Sequence, residues 1–429
     1  MPERARRSKL LRSALCLLLL APCAARAQTQ GQTEEPPRLK REFGSSLKQL
    51  KWDDERQRAV EVRRDDSQPG EGEEGDEVVR VETSLVVCDV LVLDPKGKTV
   101  SGLKREDFLV TEDGRAQEVG VFALGDSANV PRSIVLVIDY SRSMQPFLKN
   151  SLEAAETLVS QLGPRDRMAL VTDDVELVAD FTRDKAQLKE RLEWLKQRAT
   201  QGGSPREKHF GRSRQYSALM ATLRELFDAE DTRPIVIFQT DGDELAALHD
   251  SPLTPSMPTG VTPDAFIAAL KATQREFSIA DVFREAERSR ATVYTVIPGI
   301  RLIGLKPGEE KEKVNALRRE LSKDRAAGSP YVQAFENWVQ DTVRVTPPQQ
   351  TALYGLSKLT GGWTSFLEKP EQAAGIYADI FSDIGRRYVV GFYPSNKERD
   401  GKRRRVQIEV RGHPEYTVWG RKSYYAPGP

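Results

Sequence analysis

Two apolar runs dominate the hydrophobic pattern. Ile134-Val135-Leu136-Val137-Ile138 stops at Asp139, and Ile235-Val236-Ile237-Phe238 leads through Gln239-Thr240 to Asp241. A continuous branched run bounded by polar residues predicts a strand buried on both faces. After the first run a helical pattern spans Phe147 to Leu162 and stops at Gly163-Pro164. Further strands are predicted at Arg167 to Val171, at Val175 to Phe181 as an edge, at Ala291 to Pro298 and at Trp363 to Phe366. Between them come helical patterns at Asp184 to Lys196, with Leu188, Leu192 and Leu195 inward, and at Ser213 to Asp228, Asp264 to Arg275 and Ile279 to Arg290. Others follow at Glu309 to Lys323, Thr351 to Leu359 and Glu371 to Ile384. Strand–helix alternation predicts an α/β fold with a doubly wound, mostly parallel sheet wrapped on both faces.

The period changes on either side. Val79 to Thr83 alternates, Leu85 to Leu93 is a strong strand, and Phe108 to Thr111 and Val119 to Phe122 follow, with turns at Asp94-Pro95-Lys96-Gly97 and Glu112-Asp113-Gly114. The tail repeats this with Tyr388 to Tyr393, Arg405 to Val410 and Tyr416 to Trp419. Each set is an incomplete sandwich. They are expected to pair, making one small β-sandwich from segments on both sides of the α/β domain. The boundaries read as 78–125 for the first part, 131–386 for the α/β domain with insertions at about 243–278 and 300–348, and 387–429 for the second part. Lys402-Arg403-Arg404-Arg405 reads as a solvated hairpin tip, with contact to anionic lipid or glycan as the alternative.

Residues 1–27 carry the marks of an export signal: a basic start, the short apolar core Ala14 to Leu20, and Ala25-Arg26-Ala27 before Gln28. The apolar run is too short for a permanent membrane-spanning helix. Cleavage there leaves Cys88 as the remaining cysteine, predicted to be a buried thiol. The protein is expected to be exported, to a periplasm or the cell surface. Residues 28–77 read as a flexible charged arm, acidic from Asp65 to Glu77, with a short helix around Lys48 to Val62. The net charge of +1 over 429 residues gives no basic excess for nucleic acid. No His-Glu-x-x-His or paired-Cys motif is present, which argues against a zinc hydrolase. Gly-x-Ser-x-Gly and phosphate-loop motifs are also missing.

The chemistry gathers where the strands end. In open α/β sheets ligands sit beyond the carboxyl ends of the strands. Asp139, Ser141 and Ser143 lie there, and three oxygen side chains within five residues suit a hard divalent cation. An equal alternative on this stretch is that Asp139 caps the helix while Ser141 and Ser143 satisfy backbone groups of the turn. Asp241, before Gly242, adds a second carboxylate if the two strands are neighbours. Between them, Ser213 precedes the helical pattern of Tyr216-Ser217-Ala218-Leu219.

Asp-x-Ser-x-Ser, a hydroxyl before Tyr-x-Ala-Leu, and Thr-Asp-Gly together resemble a von Willebrand factor type A domain with its metal-ion-dependent adhesion site. Val100 through Leu103 to Asp107-Phe108, with Glu112-Asp113-Gly114, resembles the β-module of a secreted bacterial group related to it. The resemblance implies Ser141 and Ser143 as direct ligands of Mg²⁺ or Mn²⁺, with Ca²⁺ as a further option. Asp139 and Asp241 would hold the ion directly or through water, and Ser213 falls where the family usually has Thr. It also implies a non-enzymatic adhesion or scaffold module that receives an Asp or Glu carboxylate from a protein partner. Two alternatives stay open: a magnesium-dependent phosphohydrolase using Asp139, and a structural domain with an empty metal site.

Overall fold

The computed structural model describes residues 42–53, 55–56, 58–61, 85–125, 131–200, 214–227, 232–244, 277–306, 308–322 and 331–428. The export signal, the acidic stretch 65–77, Val79 to Thr83, Ser213, the loop His249 to Pro263 and the helical pattern Asp264 to Arg275 lie outside the described residues.

Residues 42–61 depart from the flexible-arm expectation. A 3-10 turn at Ser45–Gln49 leads into an antiparallel hairpin, β1 (Leu50–Asp53) with β2 (Arg58–Glu61), in place of the helix around Lys48 to Val62. Phe43, Leu47, Leu50 and Ala59 join an apolar cluster with Val135, Tyr216 and Val282. The Glu225 carboxylate accepts from the backbone N–H of Gly44 and of Ser46, both at 2.9 Å. Asp281 accepts from Ala59 N–H at 3.1 Å. These partners lie well over a hundred residues away, so the local pattern carries no trace of them.

The first β segment comprises β3 (Val86–Leu93), β4 (Phe108–Glu112), β5 (Arg115–Gln117) and β6 (Val119–Leu124). The sheet strands that follow are β7 (Arg132–Ile138), β8 (Arg167–Thr172), β9 (Glu176–Thr182), β10 (Arg233–Gln239), β11 (Thr292–Pro298) and β12 (Thr364–Leu367). The tail supplies β13 (Tyr388–Phe392), β14 (Arg403–Val410), β15 (Thr417–Trp419) and β16 (Ser423–Tyr425).

Strands β7 to β12 form a six-stranded sheet in the order β12-β11-β10-β7-β8-β9, parallel from β12 to β8 with β9 as an antiparallel edge. Along β7 alternate residues serve opposite faces. Ile134, Leu136 and Ile138 meet α1 (Gln145–Gln161), α2 (Lys185–Thr200) and the last helix, whereas Val135 and Val137 meet α3 (Gln215–Glu225) and α4 (Ile279–Arg288). That two-sided burial is why the run shows no polar alternation. The charged helix α5 (Glu309–Ser322) matches its predicted position. Helix α6 (Tyr331–Thr360) is far longer than the predicted Thr351 to Leu359 and passes through Pro347-Pro348. Each interior proline removes an N–H donor and crowds the carbonyl four residues earlier, which is why the local pattern reads as a break there and the predicted helix starts only after the prolines. Helix α7 (Ala373–Arg386) completes the covering of the first face.

The flanking strands do combine across the chain. They form two antiparallel sheets, β15-β3-β13-β6 and β16-β14-β4-β5, each mixing strands from before and after the α/β segment. Their shared core includes Val90, Phe108, Val390 and Ile408. The Tyr388 ring lies 5.2 Å from Phe108 and 5.9 Å from Phe122. Cys88 is buried there as a free thiol, its pKa pushed up to about 12 by burial. The basic cluster is corrected: Arg403 and Arg404 begin strand β14 and face opposite ways. Arg404 is buried, donating to Asn396 O at 2.7 Å and pairing with Glu112 at 3.4 Å.

Arg132, at the start of β7, is locked to Asp166 by its Nε at 3.0 Å, its Nη2 at 2.5 Å and its backbone N–H at 3.0 Å. Burial raises the Asp166 pKa, but the Arg132 bonds and charge outweigh it and hold the carboxyl below its ordinary value. A depressed carboxylate stabilises the fold above its unfolded pKa, and that contribution fades as pH falls through the folded value. Asp166→Ala leaves the guanidinium without this partner, and a loss of about 3–5 kcal/mol is expected in urea unfolding at pH 7. The gap to wild type should narrow under acid, and a constant gap down to pH 3 would refute the linkage.

Candidate functional site

The neighbouring strands β7 and β10 bring the two expected aspartates together. Their parallel pairing continues past the strand ends, with Asp139 N–H donating to Gln239 O at 2.9 Å. The strand order reverses between β7 and β10, the position where such sheets open a ligand crevice. Asp139 is buried with both carboxylate oxygens engaged. Oδ1 accepts from Ser141 N–H at 2.9 Å, and Oδ2 accepts from Thr240 Oγ1 at 2.9 Å and Gln215 Nε2 at 3.0 Å. The Ser141 and Ser143 hydroxyls lie 3.0 Å apart, with Ser143 exposed.

Beyond β10 the chain turns at Gly242, whose φ of 76° is a left-handed conformation that favours glycine. A side chain there would also crowd the Tyr216 hydroxyl at 3.0 Å. The turn returns Asp243 towards α3, where its Oδ1 accepts from Gln215 Nε2 at 2.6 Å. Asp173, following β8, accepts from Tyr140 N–H at 2.9 Å. Beneath them Glu244 accepts from Ser217 N–H at 2.9 Å and Ser217 Oγ at 2.6 Å.

These carboxylates oppose one another. Burial pushes Asp139 up to about 7, reinforced by Asp173 and Asp243 and offset by hydrogen bonds from Ser141. Asp241 is driven well above the ordinary range by burial, then by Asp243 and Asp139, against a hydrogen bond from the Ser143 side chain. Asp243 is raised by burial, with the Gln215 amide the largest opposing influence. Although Asp241 keeps some exposure, its Oδ1 is shielded and has no hydrogen-bond partner among the described residues.

Of the expected residues, Asp139, Ser141, Ser143 and Asp241 therefore share one crevice, and Ser213 lies outside the described residues. Sequence reasoning passed over Asp173, Gln215 and Asp243. Asp173 had a readable signal, since it too ends an apolar strand run. Asp243 stands two residues past Asp241. Gln215 had no signal, because an amide at a helix start is unremarkable until its neighbours are known.

A family model described as the von Willebrand factor type A domain matches residues 134–244, the stretch from β7 through the turn after β10. The chain carries a von Willebrand factor type A domain. Similar solved structures include an aerotolerance-related membrane protein from Bacteroides fragilis, at 14% identity over 58% of this chain and 98% of that one, with a TM-score of 0.29. BatB from Bacteroides thetaiotaomicron gives 14%, 59%, 98% and 0.33. The vWF domain of the type V pili tip protein Mfa5 from Porphyromonas gingivalis gives 15%, 60%, 96% and 0.31. A comparison with curated proteins finds no match.

The A-domain crevice offers a cation its own oxygen donors. No group of three or more His, Cys, Asp or Glu among the described residues has metal-holding geometry. The donor set is mixed instead: Asp241 Oδ1, unpartnered among the described residues, the paired hydroxyls of Ser141 and Ser143, and surrounding carboxylates whose repulsion a cation would relieve. Hard oxygen donors of this kind fit Mg²⁺ or Mn²⁺. Among the described residues, no helix is long and apolar enough to cross a membrane.

Proposed function

We propose that this protein is an exported, non-enzymatic binding module for adhesion or scaffolding that meets its partner through a divalent ion in the A-domain crevice. The observation that carries this reading is the shielded Asp241 Oδ1, without a hydrogen-bond partner among the described residues, beside two hydroxyls at the mouth of a buried carboxylate cluster. Ser141, Ser143, Asp241 and Ser213 would hold Mg²⁺ or Mn²⁺, with Asp139 behind them. The ion would supply an electrophilic centre for an Asp or Glu side chain of a protein partner. Neutral hydroxyl donors leave it short of negative charge, which favours an anionic incoming group. Thr240, Ser141 N–H and Gln215 hold Asp139 in place, so the strand end presents a preset site. The leader-like segment at 1–27 supports export to a periplasm or cell surface.

The hydrolase alternative needs Asp139 as a nucleophile, and both of its oxygens are occupied by hydrogen bonds. Calorimetric titration with Mg²⁺ and Mn²⁺ tests the binding reading. Saturable binding is expected, weakened at least about tenfold (about 1.4 kcal/mol) in Asp241→Ala and removed by a chelator. Identical isotherms for wild type and variant would sink the site. Magnesium-dependent turnover of p-nitrophenyl phosphate, lost in Asp139→Asn, would instead establish the hydrolase.

A further inference from the structure

We infer that Gln215 sets the cation preference of the A-domain site, by bracing Asp139 and Asp243 with a single neutral amide. The inference rests on the proposal that the crevice holds a divalent ion. Gln215 opens helix α3 and is fully buried. Its Nε2 donates to Asp139 Oδ2 at 3.0 Å and to Asp243 Oδ1 at 2.6 Å. The nitrogen faces the two carboxyl groups, the orientation that suits them in their ionised, accepting form. Its Oε1 is shielded and has no partner among the described residues. A residue kept there for packing alone would be apolar, because burying an unpaired carbonyl is unfavourable. What the amide adds over an apolar side chain is the pair of bonds it donates.

The chemistry of the brace bears on selectivity. Asp139 follows β7 and Asp243 follows β10, so one side chain ties together the two strand ends that form the crevice. Lysine or arginine there would neutralise the carboxylates and compete with a cation. Glutamine fixes them without adding charge. Each bond also occupies a lone pair of a carboxylate oxygen, and on Asp139 Oδ2 the Thr240 hydroxyl takes the other. Ca²⁺ takes six to eight oxygens in a flexible shell, whereas Mg²⁺ needs a compact octahedral shell and keeps several waters. Saturating Asp139 Oδ2 and tying Asp243 Oδ1 to the same amide thus disfavours Ca²⁺. Freed carboxylates would supply the extra charged oxygens that Ca²⁺ uses.

The test is calorimetric titration of the purified full chain with Mg²⁺ and with Ca²⁺, comparing wild type and Gln215→Met. Methionine keeps the length and removes the donor. The ratio of Ca²⁺ to Mg²⁺ affinity is expected to rise at least tenfold, with the circular dichroism spectrum unchanged. A ratio within twofold of wild type overturns the inference, as does an equal fall in both affinities, the signature of a merely structural role. Gln215→Leu likewise removes both donated bonds and adds no charge. It must show the same rise, and an unchanged ratio there overturns the inference even if the methionine variant fails to fold. Wild type that binds neither ion defeats the metal proposal itself. Wild type that binds Mg²⁺, with the ratio unmoved in the variants, defeats only the role of Gln215.

Discussion

Arg233→Met is expected to destabilise the protein by about 3–5 kcal/mol, because it leaves a buried carboxylate and two carbonyls without their donor. Arg233 starts β10 and is 1% exposed. Its Nε donates to Asp89 Oδ1 at 2.8 Å, Nη1 to Gly125 O at 2.8 Å and Nη2 to Ile384 O at 3.2 Å. Asp89 belongs to β3, Gly125 follows β6 and Ile384 lies on α7, so one guanidinium joins the β-sandwich, the central sheet and the last helix. The approach is close enough that a Cβ on Gly125 would come within 2.4 Å of Ile384 O. Urea unfolding should show the loss as a lower midpoint. The double variant Arg233→Met/Asp89→Val, which removes both charges, should recover part of it. A single-variant loss below about 1 kcal/mol would mean that the junction is held by packing alone.

Deleting residues 42–61 is expected to lower stability by about 3–6 kcal/mol, from the burial of Leu47 and Leu50 and the loss of the bonds to Glu225 and Asp281. Leu47 and Leu50 are 4% and 8% exposed, in the cluster that covers one face of the sheet. Glu225 ends helix α3, whose first residue is Gln215, so the turn and hairpin hold the far end of the helix that braces the site. Thermal unfolding of the truncated chain beside the full one measures the effect. An unchanged melting temperature would show that the hairpin adds nothing to the A domain.

The elements that follow from local pattern were legible. β7 and β10 read as apolar runs because both of their faces are covered, and β14 alternates because one face meets the sandwich core. Leu188, Leu192 and Leu195 fall on one face of α2 at helical spacing and are buried. Asp139 and Asp241 could be marked in advance because a strand that ends in an acid announces itself in the chain.

What the sequence by itself determined was therefore which segments are strands and helices, which of their faces are apolar, that the outer β segments must complete each other, and where an oxygen-rich site would lie. Only the tertiary structure decided how the charges pair. Arg233 with Asp89, Arg404 with Glu112, Gly44 with Glu225 and Gln215 with Asp139 and Asp243 each join residues far apart in the chain or brought together by a turn. Apolar burial leaves a periodic mark, because it acts on every second or every third to fourth residue. A buried polar contact leaves none, since it depends on one atom meeting another after the chain has folded. For that reason Arg404 looked like a solvated tip and residues 42–61 like a tether until the surfaces they pack against were in place.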